Sequence, residues 1–244
     1  MEQSDEQLIT DKKDRKELFN SIAKKYDFIN HLLSFGCDKR WRKKAVKELR
    51  NIKNPVILDI ATGTGDMAIA LTALKPTVIH AVDISSKMLE IAYRKINKKS
   101  LLNSIYPKVA NVEKLPFENN TFDAVTIAFG LRNFENKFEA MSEIYRVLKP
   151  GGKIVILELL MPHNHSIRTV YNFYFSKIAT WIGGLISSDK NAYKYLYSSV
   201  NEFDDGNTVI ILFYCTGIKI INCITLSSGI AGIFTGEKPL ENMS

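Results

Sequence analysis

The 244-residue chain has 45% hydrophobic and 24% charged residues, the balance of a folded globular protein, which excludes a largely disordered chain. Its length suits one α/β domain with a sizeable core. Lys and Arg outnumber Asp and Glu by 33 to 26, giving a net charge of +7. This basic excess fits nucleic acid, an anionic lipid surface or a solvated face, so charge alone leaves the partner open.

The amino-terminal stretch contains acidic and basic residues and lacks the apolar run of a secretory signal, so we predict a cytoplasmic protein. The three cysteines have no C-x-x-C spacing, and we expect them to be small buried side chains rather than disulfides or zinc ligands. His163 and His165 have no carboxylate or cysteine pattern nearby, so no metal site is predicted. No zinc, helix-turn-helix or RNP-like pattern appears, which argues against a nucleic-acid partner.

Residues 12–50 are amphipathic at helical spacings and predict a helical lid ahead of the core domain. We take residues 1–50 as this lid and 51–244 as the core of the same domain. The lid could pack over the carboxyl ends of the strands, where open α/β sheets bind ligands, or it could cover one face of the sheet. The lid residues polar enough to reach a ligand are Tyr26, Asn30 and His31.

The stretch VILDIATGTGDM, residues 56–67, predicts a strand, a tight turn and a helix. Gly63 and Gly65 lack a Cβ atom, so the turn can adopt unusual backbone angles and a ligand can lie close to the main chain. The helix that follows begins near Asp66 and presents unpaired N–H groups there. Such a turn suits a nucleotide or a carboxylate.

Two acidic residues decide between nucleotides. The second strand ends in Asp83, eighteen residues after Gly65, where a carboxylate can accept hydrogen bonds from both ribose hydroxyls in a dehydrogenase or a methyltransferase. Asp59, at the end of the first strand, would repel a pyrophosphate but attract a sulfonium or an amino group. Asp59 therefore favours S-adenosylmethionine over NAD.

The next elements add polar groups to the same region. Ser85 is expected to cap a helix reaching about Lys98, and Asn111 follows a short third strand, where its amide could bind adenine. A fourth strand over residues 122–129 runs into Gly130-Leu131-Arg132-Asn133, so Arg132 and Asn133 are predicted to point into the crevice. A further helix stops at Lys149-Pro150-Gly151-Gly152, ahead of a fifth strand over residues 153–158.

The carboxyl-terminal third is harder to interpret. Residues 167–178 follow the spacing of a one-faced helix, whose aromatic side chains would form either a core stripe or a wall for a large apolar substrate. Residues 208–235 carry a single charge, Lys219, so a membrane span has to be considered. Glycines and Lys219 interrupt the apolar run. We therefore predict two buried antiparallel strands instead, Val209 to Cys215 and Lys219 to Leu226.

With these residues in view, the chain resembles the class I S-adenosylmethionine methyltransferases and, within them, the C-methyltransferases of quinone biosynthesis. LDIATGTGD at 58–66 and YRVLKPGG at 145–152 are typical of the superfamily. The segments that point to quinones are Tyr-Asp-x-x-Asn at 26–30, FGLRN at 129–133 and YKYLYSSVNEF at 193–203. The resemblance covers about residues 17–203.

The resemblance implies a Rossmann-like fold: a seven-stranded, mostly parallel sheet with helices on both faces and an N-terminal helical lid. It also implies that S-adenosylmethionine, without a metal, is the methyl donor and that a ring carbon of demethylmenaquinol is methylated to give menaquinol. Benzoquinol methylation in ubiquinone biosynthesis, or another small acceptor, stays open. The cofactor positions it implies, with the two turn glycines, are Gly63, Thr64, Gly65, Asp83, Asn111, Val112 and Ala128.

A prenylated quinol has two further implications. Arg132 is expected to be the catalytic residue, either stabilising a phenolate or orienting a water that takes the proton. His31 and Tyr174 are weaker candidates for that proton transfer. The prenyl tail implies peripheral contact with the inner face of the membrane, which would give the basic lid and the aromatic helix a shared purpose. The oligomeric state is left open.

Overall fold

Seven strands form one sheet in the order β3-β2-β1-β4-β5-β7-β6, and every neighbouring pair is parallel except those made by β7. The computed structural model describes residues 17, 19–21, 23, 30–31, 34–174, 199–200, 203 and 206–240. The strands are β1 Val56–Ile60, β2 Val78–Asp83, β3 Ile105–Val109, β4 Phe122–Ala128, β5 Leu148–Leu159, β6 Lys219–Leu226 and β7 Ala231–Glu237. The predicted Rossmann-like architecture is confirmed.

Helices cover both faces of this sheet. On one face, α1, α2 and α3 bury apolar side chains against the strands, and on the other face α4 and α6 do so. The helices are α1 Asp38–Lys47, α2 Asp66–Leu71, α3 Ser86–Lys98, α4 Lys137–Val147, α5 with described residues 165–174, and α6 Asn207–Cys215. A doubly covered parallel sheet explains why its central strands are buried almost throughout.

Local sequence signals set the element boundaries near the cleft. The Ser85 hydroxyl accepts a hydrogen bond from the Met88 N–H and so caps α3, as predicted. Gly65, the residue before α2, has φ +84°, a left-handed angle that favours glycine. α4 ends at Val147, and β5 begins earlier than predicted, at Leu148, so the Lys-Pro-Gly-Gly segment predicted as a turn lies within the strand.

The two placements considered for the lid, on one face of the sheet and over the carboxyl ends of the strands, are both found, in different parts of it. Trp41, Ala45 and Leu49 of α1 are buried in the core, so this helix covers a sheet face. Phe19 and Asn30, however, lie against the cavities at the carboxyl ends of the strands. Tyr26 lies outside the described residues.

The predicted strand over Val209 to Cys215 is wrong, because Asn207–Cys215 is helix α6. Its buried residues Val209, Leu212 and Phe213 have the spacing i, i+3, i+4 and pack on the α4 side of the sheet. The run is apolar at almost every position, so its sequence cannot reveal whether the period is two or 3.6. Packing against α4 selects the helix.

The strand predicted over Lys219 to Leu226 exists, but its expected burial is wrong. β6 is the edge strand, and most of its residues from Lys219 to Ile224 are exposed. Its antiparallel partner is β7, which the sequence did not suggest because AGIFTGE lacks the pattern of a strand. Cys215 and Cys223 are also exposed rather than buried.

Of residues 167–178, the predicted one-faced helix with aromatic side chains, the structure describes 167–174. Tyr171 of α5 is buried in the core, whereas Val170, which the helical spacing placed on the same face, is 66% exposed. The Tyr174 ring stacks on Phe35 with centroids 3.8 Å apart. Trp181 and most of 193–203 lie outside the described residues, and in the described part no helix is long and apolar enough to cross a membrane.

Candidate active site

A large cavity lies at the carboxyl ends of β1, β2 and β4, where the strand order reverses between β1 and β4. Ligands of open α/β sheets bind at this topological position. The space measures about 800 Å³, including the part open to solvent. Its lining is mostly apolar, with polar groups contributed by Asp83, Asn111, Glu113, Asn133 and Glu135. We call this space the main cleft.

The glycine turn after β1 forms one wall of the main cleft. Gly63 lines it with φ +55°, and Ala61, just before, has the unusual φ of +52°. Opposite, Gly130 follows β4, and a Cβ atom on Gly130 would lie 2.6 Å from the Ala61 Cβ. The two strand ends therefore approach so closely that only one of them can carry a side chain.

Asp83 is held in place by the backbone around it. Its Oδ2 accepts a hydrogen bond from the Gly63 N–H and its Oδ1 one from the Ser85 N–H, both at 2.8 Å. Burial raises the pKa of Asp83, while these N–H groups oppose that shift. The side chain lines the main cleft at the end of β2, where a carboxylate can accept ribose hydroxyls.

The loop after β3 forms the far end of the cleft. Asn111 and Val112 both line it, together with the apolar side chains of Ile84 and Met88. The Asn111 side chain contacts Glu113, accepting its N–H at 3.3 Å and donating to its carboxylate at 3.3 Å. An apolar space with an amide at its edge suits an adenine ring.

Asp59 lies beneath the glycine turn and not on the lining of the main cleft. It is fully buried, and its two oxygens accept hydrogen bonds of 2.6 Å from the hydroxyls of Thr62 and Thr126. Burial raises its pKa to about 6, against the opposing effect of these hydrogen bonds. Asp59 thus ties β1 to β4 rather than meeting a ligand directly.

A second, smaller cavity adjoins the main cleft at Ala61 and Gly63. Two of the predicted cofactor residues, Thr64 and Ala128, line this space and not the main cleft. Gly65 lines neither of them and acts through its left-handed backbone at the start of α2. We call this space the side cavity.

The structure corrects the expectation that Arg132 points into the crevice. Its side chain is fully buried, donates to the Phe129 carbonyl at 2.8 Å and forms an ion pair with Glu158 of β5. Asn133, by contrast, does line the main cleft. Arg132 therefore lies directly behind the wall that Phe129, Gly130 and Asn133 present to the cleft.

Sequence reasoning missed several residues that line these spaces, and two of them come from the region before β1. Phe19 of the lid contributes to the main cleft, and Arg42 of α1 contributes to the side cavity. Arg42 appeared in the sequence only as one of many basic residues. Its spacing of four residues from Asp38 hinted at an ion pair on a helix, but nothing in the pattern indicated that the pair would be buried.

A family model described as the ubiE/COQ5 methyltransferase family matches residues 6–238, nearly the whole chain. The chain belongs to the ubiE/COQ5 methyltransferase family. This membership confirms the prediction of an S-adenosylmethionine-dependent methyltransferase. A carboxylate, an amide and apolar side chains line the cleft described above.

Curated relatives cover this family member almost end to end. The chain is 42% identical over 225 residues to the ubiquinone/menaquinone biosynthesis C-methyltransferase UbiE of Geotalea daltonii, covering 91% of this chain and 95% of the relative. It is 41% identical to the demethylmenaquinone methyltransferase of Thermus thermophilus, with 91% and 100% covered. For the Bacteroides fragilis protein of the same name, the identity is 37%, with 91% of each covered.

Solved structures agree on the fold of this ubiE/COQ5 family member. An S-adenosylmethionine-dependent methyltransferase from Aquifex aeolicus matches with a TM-score of 0.65 at 18% identity, covering 90% of this chain and 98% of that one. One from Thermotoga maritima matches with a TM-score of 0.62 at 19% identity, covering 91% and 99%. Among the residues described here, no group of three or more His, Cys, Asp or Glu side chains could hold a metal ion.

Proposed function

We propose that this chain is a C-methyltransferase of menaquinone biosynthesis, which transfers the methyl group of S-adenosylmethionine to a ring carbon of demethylmenaquinol. The observation that supports this best is the near-complete match, at about 40% identity, to relatives named for that reaction. The relatives named for both quinone pathways favour a second candidate, the equivalent methylation of a polyprenyl benzoquinol.

The cofactor residues have distinct tasks in this proposal. Asp83 accepts the ribose hydroxyls, Asn111 offers its amide to the adenine edge, and Val112 packs against the ring. The glycine turn, with Gly63, Thr64 and Gly65, brings backbone close to the cofactor, and Ala128 borders the adjoining side cavity. When bound, S-adenosylmethionine supplies an electrophilic methyl group. Its leaving group is a neutral thioether, which departs without the help of a metal.

The protein has to align the acceptor carbon and raise its electron density. Deprotonation of a quinol hydroxyl achieves the second, and Arg132 is the residue we propose for stabilising the resulting negative charge. Because its guanidinium lies behind Phe129 and Gly130 and is paired with Glu158, it would act on the cleft through this wall or after a rearrangement of it. Asn133 already borders the cleft beside it.

We further propose that one edge of the protein contacts an anionic membrane surface, where a prenylated quinol resides. α1 exposes basic side chains, and Phe35, Val170 and Phe173 nearby in the lid and α5 are 46%, 66% and 64% exposed. Phe35 stacks on Tyr174, which links the lid to α5. Basic residues beside exposed apolar ones are typical of peripheral membrane surfaces. We place the protein in the cytoplasm and at the inner face of that membrane.

The experiment that tests the proposed reaction supplies S-adenosylmethionine labelled in its methyl group to the protein with reduced demethylmenaquinone. A demethylated polyprenyl benzoquinol and a tail-less naphthoquinol are assayed beside it. Label in the prenylated naphthoquinol, at a rate well above the other two acceptors, is the expected result.

The other outcomes are informative. Equal label in naphthoquinol and benzoquinol would make the chain a methyltransferase of both pathways. Preferential label in the tail-less acceptor would contradict the prenyl-dependent site. Absence of label in all three, while S-adenosylhomocysteine still binds, would contradict the proposed acceptor class.

A further inference from the structure

The connection between β3 and β4 is long and has no helix of its own. It spans residues 110–121, all of which the structure describes, and contains no helix or strand beyond one isolated bridge between Asn111 and Lys114. Parallel strands are usually joined by a helix, and this connection has to cross both β2 and β1 to reach β4. A connection of this length that stays irregular is commonly part of a functional site. We call residues 110–121 the β3–β4 loop.

The β3–β4 loop lies along α4 and is bound to both ends of that helix. Near the start of α4, the Glu113 carboxylate accepts a hydrogen bond of 3.1 Å from the N–H of Asn136, the residue that caps the helix. At the other end, the N–H groups of Asn120 and Thr121 donate to carbonyls in the last turn of α4, at 2.9 and 2.8 Å. Carbonyls in a last turn have no partner within their own helix, so they are available to the loop.

Between these ends, Glu143 and Arg146 of α4 bind the main chain of the loop. They form a bidentate ion pair, in which Arg146 Nε lies 2.6 Å from Glu143 Oε1 and Nη2 lies 2.8 Å from Oε2. Glu143 accepts the Leu115 N–H at 2.8 Å, and Arg146 donates to the Leu115 carbonyl at 3.2 Å. Arg146 also donates to the Phe117 carbonyl at 2.8 Å. Two side chains thus supply the hydrogen bonds that a helix or a strand would have given this part of the loop.

The charges of this pair make its contacts with the loop strong. The hydrogen bond from Arg146 lowers the pKa of the Glu143 carboxyl and outweighs the opposing effect of burial, and the Leu115 N–H adds to the lowering. Charge-assisted hydrogen bonds in a bidentate pair are stronger and more directional than neutral ones. The position of the Leu115 main chain is therefore determined by α4.

Fixing Leu115 also fixes the two residues of the loop that border the main cleft, Asn111 and Val112. The Lys114 N–H donates to the Asn111 carbonyl at 3.1 Å, so residues 111–114 form a closed turn that ends where Leu115 begins. The side chains of Val112 and Leu115 are both buried, in the same apolar cluster as the inner face of α4. The turn is therefore attached to α4 on both sides of Asn111 and Val112, through Leu115 and through Glu113.

We propose that Glu143 and Arg146 are positioning residues, which give the β3–β4 loop the shape that selects an adenine base. Neither side chain lines the main cleft, so both act through Asn111 and Val112. A site distinguishes two bases by their hydrogen-bonding edges only when its own donors and acceptors are held in place. The proposal rests on the contact proposed above between Asn111 and the adenine edge, and it is independent of the quinol that accepts the methyl group.

Calorimetry with two ligands tests this selection: S-adenosylhomocysteine and S-inosylhomocysteine, in which an oxo group replaces the 6-amino group of the base. The wild-type protein is expected to prefer S-adenosylhomocysteine by about tenfold to a hundredfold, the range for a polar group that loses its partner in a buried site. Arg146→Met keeps the apolar stem of the side chain and releases the carbonyls of Leu115 and Phe117. It is expected to reduce the preference to less than about threefold, mainly by weakening the binding of S-adenosylhomocysteine.

Two further variants separate positioning from folding. Glu143→Gln/Arg146→Met leaves no unpaired charge, and its glutamine can still accept the Leu115 N–H, so the same loss of preference is expected in a stable protein. Arg94→Met is the matched control, because it removes another Arg–Glu pair from a helix surface, the one that Arg94 forms with Glu90 on α3. It should leave the preference unchanged.

A double-mutant cycle with Asn111→Ala shows whether Arg146 acts through the loop. In the wild-type background, Arg146→Met should weaken the binding of S-adenosylhomocysteine about fivefold or more, whereas in the Asn111→Ala background it should do so less than about twofold. A purely structural effect of Arg146 would be of the same size in both backgrounds.

Four results would overturn the proposal. One is a folded Arg146→Met protein that keeps the full preference for S-adenosylhomocysteine. Another is an equal loss of affinity for both ligands, and a third is an effect of Arg146→Met that Asn111→Ala does not diminish. The fourth is a wild-type protein that binds both ligands equally. Because no acceptor is present in this assay, failure here is distinct from failure to methylate demethylmenaquinol.

Discussion

At the scale of single residues, the most informative group is the fully buried Arg132, because it combines a predicted chemical role with a structural one. Its ion pair with Glu158 joins the turn after β4 to the end of β5. Removing one partner of a buried pair leaves the other charged and unsolvated, which typically costs about 3–5 kcal/mol. Any test of Arg132 in catalysis has to separate this loss of stability from a loss of turnover.

We predict that Arg132→Met lowers turnover by about a hundredfold or more, the size of effect typical for a group that stabilises developing charge. The dissociation constant of S-adenosylhomocysteine should change by less than about threefold, because Arg132 does not line the main cleft. Steady-state kinetics and calorimetry on the same preparation measure both quantities.

The control is the double variant Arg132→Met/Glu158→Gln, which removes both charges. It should recover most of the free energy of unfolding lost by the single variant and yet remain as slow. Full activity in the double variant would mean that Arg132 acts only as a counter-ion to Glu158, and a matching loss of cofactor affinity would exclude the role we assign to it.

Asp59 makes a prediction about pH. Its pKa is raised from the ordinary value of 3.8 to about 6 in the folded protein. Between these values the folded state binds more protons than the unfolded state, so stability is lost as the pH rises through the folded pKa. The wild-type protein should therefore lose about 1.4 kcal/mol, relative to Asp59→Asn, between pH 5 and pH 8.

Urea unfolding of both proteins at the two pH values measures this difference. The comparison with Asp59→Asn cancels the contributions of all other titrating groups that do not contact Asp59. A difference that stays constant with pH would show that Asp59 titrates alike in the folded and unfolded chains.

The site could be predicted from the sequence only where a residue's role follows from its place on a strand. Gly63 and Asn111 follow β1 and β3, and Asp83 is the last residue of β2, so the fold alone brings them to one edge of the sheet. Arg132 also follows a strand, but the direction of its side chain depends on the buried Glu158, which lies 26 residues away. Arg42 depends on how a helix packs, and no local pattern encodes that.

At the scale of elements, the close approach of the β1 and β4 ends determines the shape of the cleft. We predict that Gly130→Ala destabilises the protein by about 1–3 kcal/mol and weakens binding of S-adenosylhomocysteine, because its Cβ would lie 2.6 Å from the Ala61 Cβ. Thermal unfolding and calorimetry detect the two effects.

The double variant Ala61→Gly/Gly130→Ala provides the control, since it moves the single Cβ atom from one strand end to the other. It should restore much of the stability and affinity that Gly130→Ala loses, and it also relieves the left-handed angle at residue 61. A double variant no better than Gly130→Ala would mean that a contact other than Ala61 makes glycine necessary at 130.

The type and the ends of an element could be predicted where polar or turn-forming residues mark its boundaries, and not where the sequence is apolar throughout. Ser85 and the Lys-Pro-Gly-Gly segment predicted α3 and the end of α4 to within a residue or two. In α6 the apolar residues run without interruption, so neither period is visible, and contact with α4 decides the outcome. β7 is short of strand-forming residues and exists because β5 and β6 pair with it on either side.

At the scale of the whole molecule, the net charge of +7 is distributed unevenly, and the exposed face of α1 carries a concentration of it. We predict that the protein cosediments with vesicles containing anionic lipid and much less with neutral vesicles. Replacing Lys39, Lys43 and Lys44 by Gln should weaken this binding by about 1 kcal/mol for each residue that contacts the surface. High salt should weaken it too.

Lys98→Gln/Lys99→Gln is the matched control for charge. These exposed lysines lie at the carboxyl-terminal end of α3, outside both α1 and α5. Binding that responds equally to both sets of substitutions would indicate attraction to the net charge alone. Equal sedimentation with neutral and anionic vesicles would contradict the proposed surface.

The helix α6 has a further consequence for how the protein reaches its folded state. Its sequence, NTVIILFYC, was mistaken for a strand because it is uncharged and rich in β-branched and aromatic residues, and those are also the properties of segments that form intermolecular β-structure. In the native protein Ile211 and Tyr214 remain 60% and 83% exposed. Until α6 docks on α4, this segment can therefore pair with the same segment of other chains, and the yield of refolding should fall with protein concentration for that reason.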